Sequence, residues 1–370
     1  MKAFDYASKF FFMFTAIILI AVIMTACGIG NGKGNKHLLP SASGEAGEII
    51  LVMDSLHWNS ELGEQIKKTF RPMVVGLPRP EPLFTLRYIK PQDFKSILKN
   101  ARNIIVVAVL DNNSPGSKRA KRFFTPNSLK IIQEDTSRYQ LSHQNEWAKG
   151  QEVLYLFGKN EAVLANKIIA NREKLQMHFN NIEQKRVMAS LYKAKELKKV
   201  GKLLLRNHQF TIRIPFGWRI DFEDKDSNFI WLRNPGLVID KNIFIYYKDY
   251  TSENIFKYPV SIRNEATRKY VYDDKEQNDT SYVVVETLLP PVIRQVNFNK
   301  KYAVELRGLW KTNNLSMGGP FISYLFVDEQ LGRAYYIDGF VYSPSKDQRE
   351  SIRELETILL TFRTEGEIAP

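Results

Sequence analysis

Two different periods of apolar residues divide the chain into two halves. Short, often β-branched apolar runs stand at Glu48–Asp54, Asn103–Leu110 and Glu152–Gly158, and they predict buried strands. Segments with apolar residues at helical spacing lie between them, as in residues 56–70. Strands that alternate with helices are typical of a layered sheet with parallel strands. We therefore predict an α/β domain over residues 48–160.

A basic helical segment follows. Residues 161–206 keep apolar residues at helical spacing, and from Arg172 to Arg206 ten lysines and arginines stand against three glutamates. This pattern predicts one long connecting helix, with a break expected at Gly201. Its charged face is either a solvated surface or a docking surface for a membrane or an acidic partner.

Alternating, strand-like runs dominate the last part of the chain, residues 207–364. They are separated by turn residues and end in an amphipathic segment, Ser345–Phe362, whose apolar residues share one helical face. We predict an α+β domain with antiparallel strands and a closing C-terminal helix. The segment "IPFGWRI" together with this closing helix resembles PsbP-like sandwiches.

The N-terminus has the pattern of a secretory leader. The first nine residues contain two lysines, Lys2 and Lys9. They are followed by sixteen mostly apolar residues, 10–25. This run is shorter than the roughly 20 residues of a membrane-spanning helix. It is followed by small residues rather than by positive charge. We predict a signal peptide over residues 1–26 and a flexible tether over residues 27–47.

Cys27 is the only cysteine of the chain, so it cannot form an intramolecular disulfide. The sequence Thr25-Ala26-Cys27 resembles the lipobox of bacterial lipoproteins, although Met24 stands where leucine is usual. The resemblance implies cleavage before Cys27 and a membrane anchor of two or three acyl chains such as palmitate. Stable attachment of a protein to a membrane needs more than one such chain. An uncleaved anchor and an ordinary leader with a buried cysteine are the alternatives. By analogy with lipoprotein sorting, Gly28 favours the outer membrane, with the protein facing the periplasm.

The charge of the chain indicates anionic partners. The net charge is +13, and 44% hydrophobic with 12% aromatic residues indicates a folded interior. A basic protein held at a membrane is expected to meet an anionic lipid, a glycan or an envelope protein. Nucleic acid is not an expected partner of a protein with this leader.

Two segments are candidate binding sites. Arg79 and Glu81 lie in a stiff segment with three prolines, 76–84, where they form either one rim of a groove or a rigid connection. The second candidate is a pocket near paired glycines, which permit close approach of a ligand but also suit a hairpin turn. It would consist of Trp310, Gly318, Gly319 and Phe321.

Sequence motifs for catalysis and metal binding are missing. The five histidines lack the spacing of His-Glu-x-x-His, and Gly-x-Ser-x-Gly does not occur. We interpret His57 as a helix-surface residue, Asp111–Phe124 as a basic loop, and the acids of residues 221–226 as a turn without calcium. No catalytic residue, metal or cofactor is predicted. A binding or assembly factor is therefore expected, with a hydrolase of peptidoglycan or a lipid-linked glycan, or a structural spacer, as alternatives.

Several motifs in a fixed order, behind the lipobox, resemble a family of Bacteroidota envelope lipoproteins known as a domain of unknown function. They are "SASGEAGEIILVMD", "GLPRPEPLF", "ARNIIVV", "NFIWLRN", "LRGLW" and "MGGPFISY". The resemblance runs from about Ser41 to Phe362. The resemblance implies a location in the cell envelope and a fold of two parts. It assigns no catalytic residues.

Overall fold

The structure is a computed structural model that describes residues 39–135, 137–271 and 281–368. The predicted leader and Cys27 lie outside the described residues. Within these ranges no helix combines the length and the apolar character needed to span a membrane.

The first half is a sheet with helices on both faces. Its elements are β1 (Glu48–Val52), α1 (Ser55–Trp58), α2 (Glu61–Phe70), β2 (Thr85–Ile89), β3 (Asn103–Val109), α3 (Pro115–Lys121), α4 (Pro126–Glu134), β4 (Gln140–Gln144) and β5 (Glu152–Gly158).

The sheet of the first half has the strand order β2-β1-β3-β5-β4. The first four strands in this order pair in parallel, and β4 adds an antiparallel edge. Every residue of β3 and β5 is buried, because apolar clusters cover both faces of the sheet. The predicted α/β layer is confirmed.

The prediction of one long helix over residues 161–206 is wrong. The segment forms three helices, α5 (Glu161–Ala170), α6 (Arg172–Leu191) and α7 (Lys198–His208).

Both helix breaks have a visible cause. At the first break the backbone of Asn171 leaves the helical conformation, and both its side-chain amide and its backbone N–H donate to the carbonyl oxygen of Lys167, at 2.9 Å and 3.1 Å. Residues 192–197 break the second helix because their backbone bonds to residues 214–216 instead. Gly201 lies inside α7, where its missing side chain lets Thr211 approach closely.

The second half is built on antiparallel strands. Its elements are β6 (Phe210–Thr211), β7 (Arg219–Asp224), β8 (Phe229–Asn234), β9 (Asp240–Asp249), α8 (Pro259–Tyr270), β10 (Val283–Val285), β11 (Val292–Phe298), β12 (Lys301–Thr312), β13 (Gly318–Asp328), β14 (Arg333–Tyr342), α9 (Arg349–Leu359) and β15 (Arg363–Thr364).

The large sheet of the second half has the order β10-β12-β13-β14-β9-β8-β7, with β11 also paired to β12. Helix α9 covers one face through Ile352, Leu355, Ile358 and Leu359, as its apolar spacing predicted. Helix α8 packs into the apolar cluster that also contains side chains of β8, β12 and β13. The predicted α+β half is confirmed, and its PsbP-like character stays a prediction.

The predicted tether is shorter than expected. The backbone N–H of Ala42 donates to the carbonyl oxygen of Lys149 at 2.9 Å, and that of Ser43 donates to Asn100 at 2.8 Å. Because these bonds attach residues 41–47 to the first half, this part of the chain is not a free linker.

Candidate functional site

A cleft lies at the carboxyl edge of the parallel sheet, between β1 and β3. The chain leaves β1 toward β2 on one side and then crosses to β3 on the other, so the strand order reverses at this point. Open α/β sheets bind ligands in the crevice at such a switch point. The cleft has a volume of about 460 Å³ and is lined by Asp54, Ser55, Leu56, Lys90, Pro91, Gln92, Ser114, Pro115, Gly116 and Arg119.

Asp54 follows β1 and forms the floor of this cleft. Its Oδ1 accepts the backbone N–H of Leu56 at 2.8 Å, and its Oδ2 accepts the hydroxyl of Ser114. Gly116 has to be glycine, because a Cβ there would lie 2.5 Å from Asp54 Oδ2. Burial acts to raise the pKa of Asp54, but the hydrogen bonds from Ser114, Leu56 and Ser117 outweigh it and lower the pKa. The carboxylate is therefore ionised and is a weak base.

The hydroxyl of Ser114 acts both as a hydrogen-bond donor and as an acceptor. It donates to Asp54 and accepts the backbone N–H of Ser117 at 3.0 Å, which caps helix α3. With Pro115 in the first helical position, this cap starts a helix where the sequence predicted a basic loop over Asp111–Phe124. The loop prediction is wrong for residues 115–121.

His57 joins the carboxyl ends of three strands. Its Nδ1 lies 2.7 Å from Glu161 Oε2 and its Nε2 lies 3.0 Å from Asn112 Nδ2. An amide nitrogen only donates, so Nε2 accepts and the proton is on Nδ1. Asn112 Oδ1 in turn accepts the backbone N–H of Ser114 at 2.8 Å. The interpretation of His57 as a surface residue is wrong, because His57 is only 6% exposed and both ring nitrogens have protein partners.

This floor supports binding better than proton transfer. The polar atoms of Asp54, His57 and Ser114 all have partners, and the histidine bonds to Glu161 and Asn112 rather than to the serine hydroxyl. A serine nucleophile needs an adjacent base that takes its proton, and Asp54 is a poor one because its pKa is lowered.

The rim of the cleft is cationic. Lys90 follows β2 and Arg119 lies on α3, and both side chains are exposed. Neither forms an ion pair with any residue that the structure describes. The lining therefore has two cations against the one ionised carboxylate of Asp54. Because the Asp54 oxygens are already hydrogen-bonded, the net positive charge of the rim attracts an anion.

The predicted site residues Arg79 and Glu81 lie where the two halves meet. The Glu81 carboxylate accepts the backbone N–H of Gln348 at 2.7 Å and that of Arg349 at 3.0 Å, so it caps the start of α9. Arg79 Nη2 donates to the carbonyl oxygen of Lys346 at 2.5 Å. Both residues line a cavity of about 620 Å³. Their polar groups hold the halves together, and ligand binding there stays a prediction.

The other predicted site residues lie inside the large sheet. Trp310 Nε1 donates to the carbonyl oxygen of Val341 at 3.1 Å, and Phe321 is 1% exposed. Gly318 and Gly319 begin β13 rather than forming a hairpin turn. A Cβ on Gly319 would lie 2.0 Å from the Val341 oxygen, so close strand packing explains this glycine. Ligand binding by these four residues stays a prediction.

Metal binding gains no support from the described ranges, in which no three histidine, cysteine or acidic side chains cluster suitably. The acids of the β7–β8 hairpin have protein partners. Asp221 pairs with Arg219 at 2.9 Å, and Glu223 lies 2.9 Å from His208 Nε2.

Both halves resemble families of unknown function. Residues 42–192 match the model "Domain of unknown function (DUF8532)", and residues 196–361 match "Domain of unknown function (DUF4837)". The two matches meet between α6 and α7. The expected resemblance to a family of unknown function is confirmed to this extent, and the lipoprotein character stays a prediction.

The comparison with curated proteins gave no match. Among solved structures, a mutant of the protein Mog1 is similar at 13% identity, over 42% of this chain and 90% of that chain. Its TM-score is 0.26, and a value this low says nothing about the fold or function of this chain.

Sequence reasoning missed the cleft, although one signal for it was visible. Asp54 directly follows the first apolar run, and the polar residues 111–114 directly follow the second. The carboxyl ends of neighbouring parallel strands meet at one edge. Applied to these two runs, that rule points to Asp54 and Ser114 together.

Proposed function

We propose that the protein is a lipid-anchored protein of the bacterial cell envelope that binds an anionic group in the cleft between β1 and β3. The observation that carries the proposal is the pair Lys90 and Arg119, which have no ion-pair partner in the described part of the chain and lie at the rim of a cleft at the switch point of a parallel sheet. The net charge of +13 adds a long-range attraction for anions.

The anionic group is a phosphate or a carboxylate. An arginine guanidinium binds either group with two parallel hydrogen bonds, and a lysine adds a point charge. In a cell envelope, phosphate is offered by lipid headgroups and carboxylate by the acidic sugars and peptides of peptidoglycan. Leu56, exposed at 61% in the same cleft, offers an apolar contact for the rest of the ligand.

A binding protein is favoured over a hydrolase. Paired carboxylates do line a cleft between the halves, but Glu305 and Glu356 share Arg307, whose Nε lies 3.0 Å from Glu305 and whose Nη2 lies 2.7 Å from Glu356. Both carboxylates are therefore occupied by one guanidinium. Glycoside hydrolysis requires two carboxyl groups that are open to the substrate and to water.

Anchoring through Cys27 would place the binding cleft in a thin layer next to the membrane. A tethered protein meets membrane-bound partners at a much higher effective concentration than a free one. The lipobox-like sequence and the single cysteine support this anchor, with the periplasmic face of the outer membrane as the proposed location.

Binding of anions tests the cleft. We expect glycerol phosphate or N-acetylmuramic acid to bind to the full mature chain, and Lys90→Ala or Arg119→Ala to weaken that binding about tenfold, since each removes one charged hydrogen bond. Isothermal titration with both compounds separates a lipid-headgroup source from a glycan source.

Lys118→Ala is the matched control, because Lys118 is exposed on the same helix but does not line the cleft. Equal affinity of all four proteins for both compounds, or no binding of either compound at millimolar concentration, would rule out the anion cleft.

Labelling with radioactive palmitate tests the anchor. We expect the wild-type chain to incorporate label and to sediment with membranes, and Cys27→Ser to lose both properties because it removes the only thiol. Asn31→Ser, a change in the same segment, should keep both. A Cys27→Ser protein that still sediments with membranes would show that another segment anchors the chain.

A further inference from the structure

The second half contains a cavity about twice as large as the anion cleft. Its volume is about 940 Å³, near the upper end of the roughly 300–1,000 Å³ of small-molecule sites. It lies at the end of the sheet where β9, the β11–β12 hairpin and the β13–β14 hairpin meet the C-terminal segment.

Aromatic rings form one wall of this cavity. Tyr302 is 51% exposed, and its ring meets that of Phe256 edge to face, with centroids 5.1 Å apart. Phe256 supports one side of the tyrosine ring, which stays half open to the cavity. Tyr250 adds a third ring to the lining. The two tyrosine rings offer apolar contact, and each also carries a hydroxyl group that can form hydrogen bonds.

The lining also contains three amide side chains from different parts of the chain. Asn254, Gln295 and Gln330 line the cavity, and their amide groups make no hydrogen bond within the described part of the chain. An amide offers a donor and an acceptor side by side. That arrangement matches neighbouring hydroxyl groups, each of which also donates and accepts.

The charges of the cavity lining are mixed, with four acids and three lysines. Lys301 is paired with Asp328 at 3.2 Å and with Glu367 at 2.9 Å. The remaining charged side chains of the lining are two acids and two lysines without an ion pair among the described residues: Glu253, Glu329, Lys257 and Lys300. In contrast to the anion cleft, this cavity has no excess of positive charge at its opening.

We propose that this cavity binds an uncharged carbohydrate chain. The flat C–H face of a sugar ring packs on Tyr302, and its hydroxyl groups bond to Asn254, Gln295 and Gln330. The ligand differs in chemistry from the anion of the first cleft, and its binding depends neither on that cleft nor on the anchor at Cys27.

Titration of the full mature chain with chitotriose, cellotriose and maltotriose, followed by NMR, tests the proposal. At least one trisaccharide should bind, and Tyr302→Ala should weaken its binding about tenfold, because it removes the stacking surface. Gln295→Ala, a change of an exposed side chain that leaves the fold intact, should weaken it severalfold. Lys90→Ala should change nothing, which separates this site from the anion cleft.

Tyr258→Ala is the matched control, because Tyr258 is 62% exposed nearby but does not line the cavity. Equal loss of affinity in Tyr258→Ala and Tyr302→Ala would overturn the proposal. So would the absence of binding by all three trisaccharides at millimolar concentration, or binding of unrelated peptides that competes with them at Tyr302.

Discussion

Replacement of Arg263 by methionine is expected to lower the free energy of unfolding by about 3 to 5 kcal/mol. Arg263 and Asp338 are both fully buried, and Arg263 Nε lies 2.8 Å from Asp338 Oδ2. The guanidinium also lies 4.0 Å above the ring of Phe321. Loss of the arginine leaves a buried carboxylate whose remaining partner among the described residues is the hydroxyl of Ser323. A buried charge without its counter-ion is costly.

The loss should depend on pH. Burial raises the pKa of Asp338 even though Arg263 opposes the shift. An acid whose pKa is raised in the folded state stabilises that state most at low pH. Without Arg263, the carboxyl group takes up a proton more readily, so the destabilisation should be smaller at about pH 5 than at about pH 8. Urea unfolding, with amide exchange of β13 and β14 as a local readout, measures both effects.

A double variant separates the lost charge from the lost packing. Apolar replacements of a buried ion pair are often neutral, so Arg263→Met with Asp338→Leu should recover most of the stability. Arg268→Met changes an exposed arginine of the same helix and should have little effect. A double variant as unstable as the single one would mean that the ion pair is not the source of the loss.

Replacement of Glu183 by alanine is the second large change, with an expected loss of about 3 kcal/mol. Glu183 lies on α6 below the start of β3, where its carboxylate accepts from three donors. Arg102 Nη2 lies at 3.1 Å, Arg186 Nη1 at 2.5 Å and Asn103 Nδ2 at 2.9 Å. The variant leaves two arginines side by side without their shared anion, so α6 loses one of its polar attachments to the start of β3.

The contribution of Glu183 should disappear in acid. Burial acts to raise the pKa of Glu183, but the hydrogen bond from Asn103 and the charges of Arg102 and Arg186 outweigh it and lower the pKa below 4.5. A lowered pKa stabilises the folded state above 4.5, and this stability is lost as the pH falls through the folded-state value.

Glu183→Gln checks the pH effect without a change in shape. Its stability should be lower than that of the wild-type protein at neutral pH and should fall less steeply in acid. Glu173→Gln, an exposed position on the same helix, is the matched control. Parallel pH profiles of Glu183→Gln and the wild-type protein would contradict the role of the ionised carboxylate.

Strands with buried side chains could be predicted, and a strand without them could not. Six of the seven residues of β3 are apolar and follow one another without a break, and this local pattern reports burial on both faces. The five residues of β4, QLSHQ, are all exposed and show no pattern. They form a strand only because their backbone pairs with β5, a contact with another part of the chain.

The candidate site was harder to predict than the strands, because its residues are far apart in the sequence. Ser114 and Asp54 are 60 positions apart, and His57 and Glu161 are 104 positions apart. Polar residues after a strand are visible in the sequence, but which strand ends are neighbours depends on the strand order. The amides of the second cavity come from three separate places in the chain, the segment after β9, strand β11 and the turn between β13 and β14, and only the fold brings them to one cavity.

The sequence by itself determined the two-part α/β and α+β organisation, the buried strands, the apolar face of α9 and the uniqueness of Cys27. Only the tertiary structure decided where the connecting helices break, that His57 is buried, and that Lys90 and Arg119 share a cleft with Asp54. The physical reason is the range of the interactions. Periodicity reports how neighbouring side chains are buried, whereas strand order, backbone pairing and ion pairs join residues that are far apart in the chain.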